Sequence, residues 1–305
     1  MVQVVNKAFK LSNGLMTPAL GLGTWRSEPN QVKQAILHAF KVGYTHFDCA
    51  YVYENEAEIG EAFKEASQPR SSYFVTSKLW NTFHRADQVP KAINKTLGDL
   101  QLDYLDLYLM HWPVAHVNSG NGDSVKDADG VSVIDKDVTV KETWTAMEKL
   151  VDEGKVKSIG VSNFNIKNLK DLLSYCRIKP VVNQVELHPY LPQTELVDFC
   201  KQHDILVTAY SPLGSKPEPG TVMFDPVITD IATANGKTPA QALISWAIQR
   251  GTQVIPKSSN LERISDNFKT FVLSDDEFKR INAIQKRVRY VDPQKWWQTD
   301  IFGDS

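Results

Sequence analysis

Cysteine is scarce in this chain: Cys49, Cys176 and Cys200 stand in no paired spacing. An odd, unpaired set excludes a disulfide framework and suits a reducing compartment. Neither sign of charge is in surplus. The 34 basic and 36 acidic side chains leave a formal net charge of -2, which argues against nucleic acid or an anionic membrane as partner. No apolar run approaches the roughly 18 residues of a membrane span. Residues 1–10 also lack the apolar core of a secretory signal, so a cytoplasmic location is expected. Neither His-Glu-x-x-His nor Cys-x-x-Cys occurs and the seven histidines are scattered, so no metal is expected.

Two glycine signatures are missing as well. Gly21-Leu22-Gly23-Thr24-Trp25-Arg26 lacks the third glycine of the dinucleotide-binding loop, which disfavours a doubly wound open sheet. Gly160-Val161-Ser162-Asn163-Phe164 lacks the second glycine of a nucleophile elbow and sets Ser162 aside as an acyl-transfer nucleophile.

What the chain does have is a rhythm. Its 305 residues, 42% of them apolar, are enough for one large domain spanning 1–305. Ser12-Asn13-Gly14 between two short apolar runs predicts an opening β-hairpin. Strands are then expected over 20–23, up to 48, and over 74–78, 105–111, 158–162, 181–186, 206–210 and 254–256. Helices are expected over 30–42, 55–66, 90–100, 141–153, 166–175, 194–203, 227–235 and 239–249. The strands are apolar throughout rather than alternating, as parallel strands covered on the outside should be. Eight such units close into an α/β (β/α)8 TIM barrel, where chemistry gathers at the C-terminal ends of the strands. The polar stretch 114–140 interrupts the rhythm directly after a histidine and is expected to form a loop over the site.

Three successive strands end on an ionisable group: Asp48, Lys78 and His111. Laid side by side they meet at one rim, with Tyr53 just beyond. An isolated buried carboxylate is costly, so Asp48 needs a cation, and Lys78 is at hand. The Lys78 ammonium would also favour phenolate and lower the titration point of Tyr53, while His111 would donate to the oxygen that receives the proton. That oxygen belongs to a carbonyl. No side chain supplies hydride, so a nicotinamide or flavin must be bound alongside. A Schiff base on Lys78 competes with this reading, but its partnership with Asp48 and Tyr53 speaks against it. Further along, Lys257, Ser258, Ser259 and Arg263 surround a helix start and suit a phosphate, or else form an ordinary cap with solvated charges.

These motifs together resemble the aldo-keto reductases over nearly the full length. The resemblance is carried by Gly21 to Trp25, Asp48 to Glu56, Ser77-Lys78-Leu79-Trp80, His111-Trp112-Pro113, Gly160 to Phe164, Gln184-Val185-Glu186, Tyr210-Ser211-Pro212-Leu213 and Ile255-Pro256-Lys257-Ser258. It implies a monomeric barrel that binds NADP(H) without a Rossmann domain and reduces small aldehydes or ketones. On that likeness Tyr53 is the general acid, tuned by Lys78 and Asp48, and His111 orients the carbonyl. Gly23, Thr24 and Trp25 would border the cofactor, Ser162, Asn163 and Gln184 bind its carboxamide, and Tyr210 stack on the nicotinamide. Ser211, Leu213 and Ser215 would line the pyrophosphate path. Lys257, Ser258 and Arg263 would hold the 2′-phosphate and Asn267 face the adenine, although this chain has Asp266 where many members carry Glu.

Trp25, Trp80, Trp112, Trp296 and Trp297 would build an aromatic substrate pocket, with His111 at its floor and the 287–305 tail closing it. Val52 stands where xylose reductases carry an acidic residue before the catalytic tyrosine. Asn81 and Lys286-Arg287-Val288-Arg289 resemble fungal members acting on glyceraldehyde, glycerol or uronic acids such as galacturonate. A carboxylate-binding Arg289 is weighed against a solvated surface charge. The nonenzymatic alternative is a catalytically weak NADPH-binding regulatory subunit, which the intact Asp48, Tyr53, Lys78 and His111 disfavour.

Overall fold

The computed structural model describes residues 7–25, 27–214 and 218–303. In chain order the elements are β1 (Ala8–Lys10), β2 (Met16–Pro18), β3 (Leu22–Gly23), α1 (Gln31–Val42), β4 (His46–Asp48), α2 (Glu56–Ala66), β5 (Phe74–Leu79), α3 (Val89–Leu100), β6 (Leu107–Met110), α4 (Val140–Asp152), β7 (Ile159–Ser162), α5 (Ile166–Tyr175), β8 (Val182–Glu186), α6 (Thr194–Gln202), β9 (Leu206–Tyr210), α7 (Pro226–Ala234), α8 (Pro239–Gln249), β10 (Gln253–Val254), α9 (Leu261–Asn267), α10 (Asp275–Asn282) and α11 (Gln294–Trp297).

Strands β3 to β10 pair in parallel in sequence order. The first and last then meet through the parallel bridges Leu20↔Val254 and Gly23↔Lys257, which close the sheet into the expected (β/α)8 barrel. Gly23 sits at that seam, where a Cβ would press on the Ile255 carbonyl oxygen at 2.9 Å. Helices pack outside because their apolar residues recur along one face. In α1, Val32, Ala35, Ile36 and Ala39 are buried, and the helix stops at Gly43, whose φ of 112° favours glycine. Pro239 and the reciprocal bonds of Thr238 and Gln241 start α8.

The opening hairpin plugs the end of the barrel where the strands begin. Leu11 packs with Phe74, Leu107, Leu109, Val181 and Val182, and Asn13 Nδ2 donates to Ser158 Oγ at 2.8 Å. With that end closed by apolar side chains, polar groups collect at the other.

Two helices, α10 and α11, go beyond the sequence expectation, and the polar stretch after β6 is more ordered than its composition suggests. Residues 114–140 carry none of the named strands, and the loop is ordered as a ribbon. The N–H groups of Val117, Val125 and Val133 donate to the carbonyls of Val133, Val117 and Val125, each at 2.9 Å. Turns at 119–123 and 127–130, held by Asn121 and Asp127 side chains, make this possible. The ribbon is fastened beside the site, with Thr82 Oγ1 donating to the Gly122 carbonyl at 2.7 Å and Asn118 Nδ2 to the Thr82 carbonyl at 3.1 Å. The periodicity left out α10 because its apolar residues are sparse and α11 because it is a single turn. The signal for α10 was the cap, in which Ser274 and Glu277 satisfy each other's backbone N–H.

Candidate active site

The barrel brings together the four groups expected at one rim. Lys78 is fully buried inside the barrel, and its Nζ donates to Asp48 Oδ1 at 2.6 Å, to the Cys49 carbonyl at 2.8 Å and to Tyr53 Oη at 3.3 Å. Tyr53 belongs to a short 3-10 turn, Tyr51–Tyr53, directly after β4, so the register of that strand sets its position. His111 follows the last residue of β6, its own N–H donating to the Leu79 carbonyl at 3.1 Å. The Tyr53 and His111 rings stand edge to face, 6.0 Å between centroids. All four therefore come from the ends of β4, β5 and β6, which are neighbours in the sheet.

The electrostatics correct one expectation. Burial holds the Tyr53 phenol above its ordinary value, and Lys78 pulls it down without overcoming that cost. The expected acidification is thus outweighed, and the phenol keeps its proton at neutral pH. Burial by itself would discharge Lys78, but Asp48 and the Tyr53 oxygen outweigh it and hold the ammonium above the usual lysine range. His111 is held well below the ordinary histidine value by burial, with Lys78 and His84 adding to it, so its ring is neutral. The arrangement is a protonated phenol beside a fixed ammonium and a neutral imidazole. Such a set can deliver a proton to an oxygen while polarising it.

The residues expected at the cofactor occupy the rest of the rim. Ser162 ends β7, Gln184 lies in β8, Tyr210 ends β9, and Lys257 follows β10 beside Gly23. Gln184 Nε2 donates to Asp48 Oδ2 at 2.7 Å, so the amide's oxygen is what it offers to anything else. Asn163 adopts φ 64°, a left-handed conformation that asparagine tolerates. Its Nδ2 donates to the His111 carbonyl at 3.0 Å and to Ser162 Oγ at 3.1 Å, while its Oδ1 accepts from Tyr210 Oη at 2.8 Å. Thr24 is buried with its hydroxyl on the Asp48 carbonyl at 2.8 Å, and Trp25 is exposed. Ser211 has φ 47°, and Leu213 follows it on the same turn.

Ser215 lies outside the described residues. Ser258 Oγ accepts from the Asn260 N–H at 3.1 Å, Arg263 is exposed in the first turn of α9, and Asn267 is buried at its end. An open cleft of about 480 Å³ lined by Asn30, Gln31, Gln34, Ser259, Asn260 and Leu261 adjoins this segment. Among the described residues no three His, Cys, Asp or Glu side chains are grouped to hold a metal, and no helix is long and apolar enough to cross a membrane.

Over the site, Trp112, Val114, Trp297 and Ile301 form an apolar cluster with Trp80, Ile134, Val291 and Phe302 packed on it. Trp80 lies 5.2 Å from His111, and Trp297 lies 5.1 Å from Trp112 and 4.8 Å from His116 of the ribbon. Trp297 is the buried member of the tail pair, with Trp296 half-exposed at 6.4 Å from it. Arg289 stacks over Phe302 at 3.9 Å. Sequence reasoning did not pick out His116, the Gln184–Asp48 bond or the anchoring of the tail. The spacing in Gln184-Val185-Glu186, two polar residues on one face of a strand, was the available signal.

The chain is similar in sequence and fold to known proteins. The family model described as "Aldo/keto reductase family" matches residues 10–286. Aldo-keto reductase family 1 member A1-A of Danio rerio is 48% identical over 309 residues, 94% of each chain. The Homo sapiens family 1 member A1 is 48% identical over 93% of this chain and 90% of its own. Among solved structures, the aldose reductase of Schistosoma japonicum superposes with a TM-score of 0.91 at 42% identity over 97% of this chain and 98% of that one. The Giardia lamblia aldose reductase gives 0.88 at 44% identity over 93% and 97%. A match of this extent, on a rim already shown to gather a phenol, an ammonium and an imidazole, means that the chain belongs to the aldo/keto reductase family and is an NAD(P)H-dependent oxidoreductase acting on carbonyl groups.

Proposed function

We propose that the protein reduces the carbonyl of aldehydes to alcohols with NADPH, Tyr53 acting as general acid. The observation that carries this reading is the buried Lys78 ammonium, 2.6 Å from Asp48 and 3.3 Å from the Tyr53 hydroxyl. The substrate's carbonyl oxygen accepts a hydrogen bond from neutral His111 and a proton from Tyr53 Oη. Lys78 stabilises the negative charge left on the phenol oxygen, and Asp48 keeps Lys78 charged and in place. A bound nicotinamide supplies the hydride.

The donor set of the rim fits that group. Gln184 donates one N–H to Asp48 and has its oxygen left to accept from a carboxamide –NH2, Tyr210 is tied to Asn163, and Lys257, Ser258 and Arg263 fall within a seven-residue stretch after β10, cations and a hydroxyl suited to a 2′-phosphate. Hydroxyaldehydes, aldoses or uronic acids such as glyceraldehyde or galacturonate are the proposed substrates. That two structural neighbours are named aldose reductases supports an aldose-like aldehyde, and the tryptophan cluster supplies an apolar wall to the site.

Tyr53→Phe tests the assignment. Reduction of an activated aldehyde should fall about 100- to 10,000-fold while NADPH affinity stays within about twofold. Comparable turnover in the variant rejects Tyr53 as the acid.

A further inference from the structure

The β8 strand ends on a second polar residue facing the same way as Gln184. Glu186 is 1% exposed, and its carboxylate is turned toward the tail. Oε1 accepts from the Tyr290 N–H and from His188 Nε2, and Oε2 accepts from the Val291 N–H, all at 2.8 Å. The turn beneath is itself fixed, with Gln193 Nε2 donating to the Glu186 carbonyl at 2.7 Å and the Leu191 N–H donating to the His188 carbonyl at 2.8 Å. Eleven residues beyond Val291 the tail is tied down again, where Asn165 Nδ2 donates to the Phe302 carbonyl at 3.3 Å. Between the two fastenings the chain arches through α11 and places Trp297 against Trp80, Trp112 and His116.

We propose that Glu186 is a positioning residue for substrate selectivity: its carboxylate clasps residues 290–291 and so fixes how far Trp297 reaches over the site. A carboxylate suits the task because both backbone groups are donors and it offers two acceptor oxygens with no hydrogen of its own. A glutamine keeps one acceptor and turns an –NH2 toward one of the N–H groups, leaving a buried donor unmet. An aspartate keeps both oxygens but falls one methylene short. The carboxylate bonds the tail and His188 rather than the proton relay, so its loss should alter which aldehydes fit more than how fast they react; because Glu186 also pairs with Tyr210 across β8 and β9, NADPH affinity is measured alongside. The selectivity role rests on the reading of the Trp297 cluster as that wall.

The test compares wild type, Glu186→Gln and Asn165→Ser, the last keeping an oxygen to cap α5 while losing the donor to Phe302. Amide hydrogen exchange over 287–303 is measured with KM and kcat for glyceraldehyde and 4-nitrobenzaldehyde. In Glu186→Gln, exchange over 287–303 should quicken at least tenfold. The ratio of the two KM values should shift about tenfold, with kcat for glyceraldehyde within about threefold. Asn165→Ser should shift the KM ratio in the same direction. Unchanged exchange overturns the clasp, and faster exchange with an unchanged KM ratio overturns the selectivity role. Equal loss of kcat for both aldehydes together with NADPH affinity also overturns it, by placing Glu186 in the general scaffold. Should wild type reduce neither aldehyde while exchange quickens as expected, the clasp stands and the reductase assignment fails.

Discussion

Gln184 and Asp48, 136 residues apart in the chain, are joined by a 2.7 Å bond from the amide nitrogen to Oδ2, while Oδ1 of the same carboxylate holds Lys78 at 2.6 Å. Both oxygens of Asp48 are thereby committed, one toward the proton relay and one toward the residue proposed to read the nicotinamide carboxamide. In Gln184→Leu the volume is roughly kept and the donor is lost, so Asp48 has one buried lone-pair site unmet. We expect kcat to fall about tenfold and NADPH affinity to weaken together, measured by steady-state kinetics and by fluorescence titration of the cofactor. Weaker binding with kcat unchanged would separate Gln184 from the relay.

The pH dependence follows from the two perturbed rings. With Tyr53 as the proposed acid, reduction needs it protonated, and its folded value lies above the ordinary one, so activity should persist through neutral pH and decline only above about 10. His111 is held well below its ordinary value, so no acidic limb should occur near about 6.5. A profile of kcat for aldehyde reduction at saturating NADPH checks both limbs, and a limb near neutrality would assign the proton to another group.

Much of this site was legible because its parts obey strict local rules. Asp48, Lys78 and His111 each close an apolar run, and period-two strands laid in parallel leave such residues at one rim. The eight strands and most helices were readable for the same reason, with ends displaced by one or two residues. What escaped was long-range and polar. The 114–140 ribbon is held by backbone bonds among Val117, Val125 and Val133 and by Asp and Asn turns, which carry no apolar period. The titration of Tyr53 went against expectation because spacing reveals a neighbouring charge but not the depth of burial that opposes it.

Cofactor preference should reside in the segment after β10. Arg263 is exposed on the first turn of α9, six residues after Lys257, and a phosphate held by these cations would gain charge-assisted bonds that a bare ribose hydroxyl cannot make. Arg263→Ala should raise the Kd for NADPH about 10- to 100-fold and leave that for NADH within about twofold. Titration of the apoprotein with each dinucleotide measures the split, and equal losses for both would remove Arg263 from the 2′-phosphate.

Glu56, the first residue of α2, carries a pH-dependent cost to stability. Its carboxyl is buried behind β5, accepting hydrogen bonds from Ser77 Oγ and from Thr96 Oγ1, and the Lys78 ammonium acts on it only as a minor, more distant charge. Burial raises its titration from the ordinary 4.5 to about 7, the two hydroxyls opposing that shift only in part. A carboxyl whose folded value is raised binds more protons folded than unfolded between those limits. Stability should therefore fall as pH climbs from about 4.5 through about 7, and the gap corresponds to about 3 kcal/mol. Glu56→Gln mimics the protonated form and is indifferent to pH. Its unfolding free energy, measured by urea denaturation, should match wild type near pH 4.5 and exceed it increasingly up to about pH 8, by a few kcal/mol at most. A constant difference across that range would mean that Glu56 is ionised in the folded protein throughout, stabilised by partners other than the two hydroxyls.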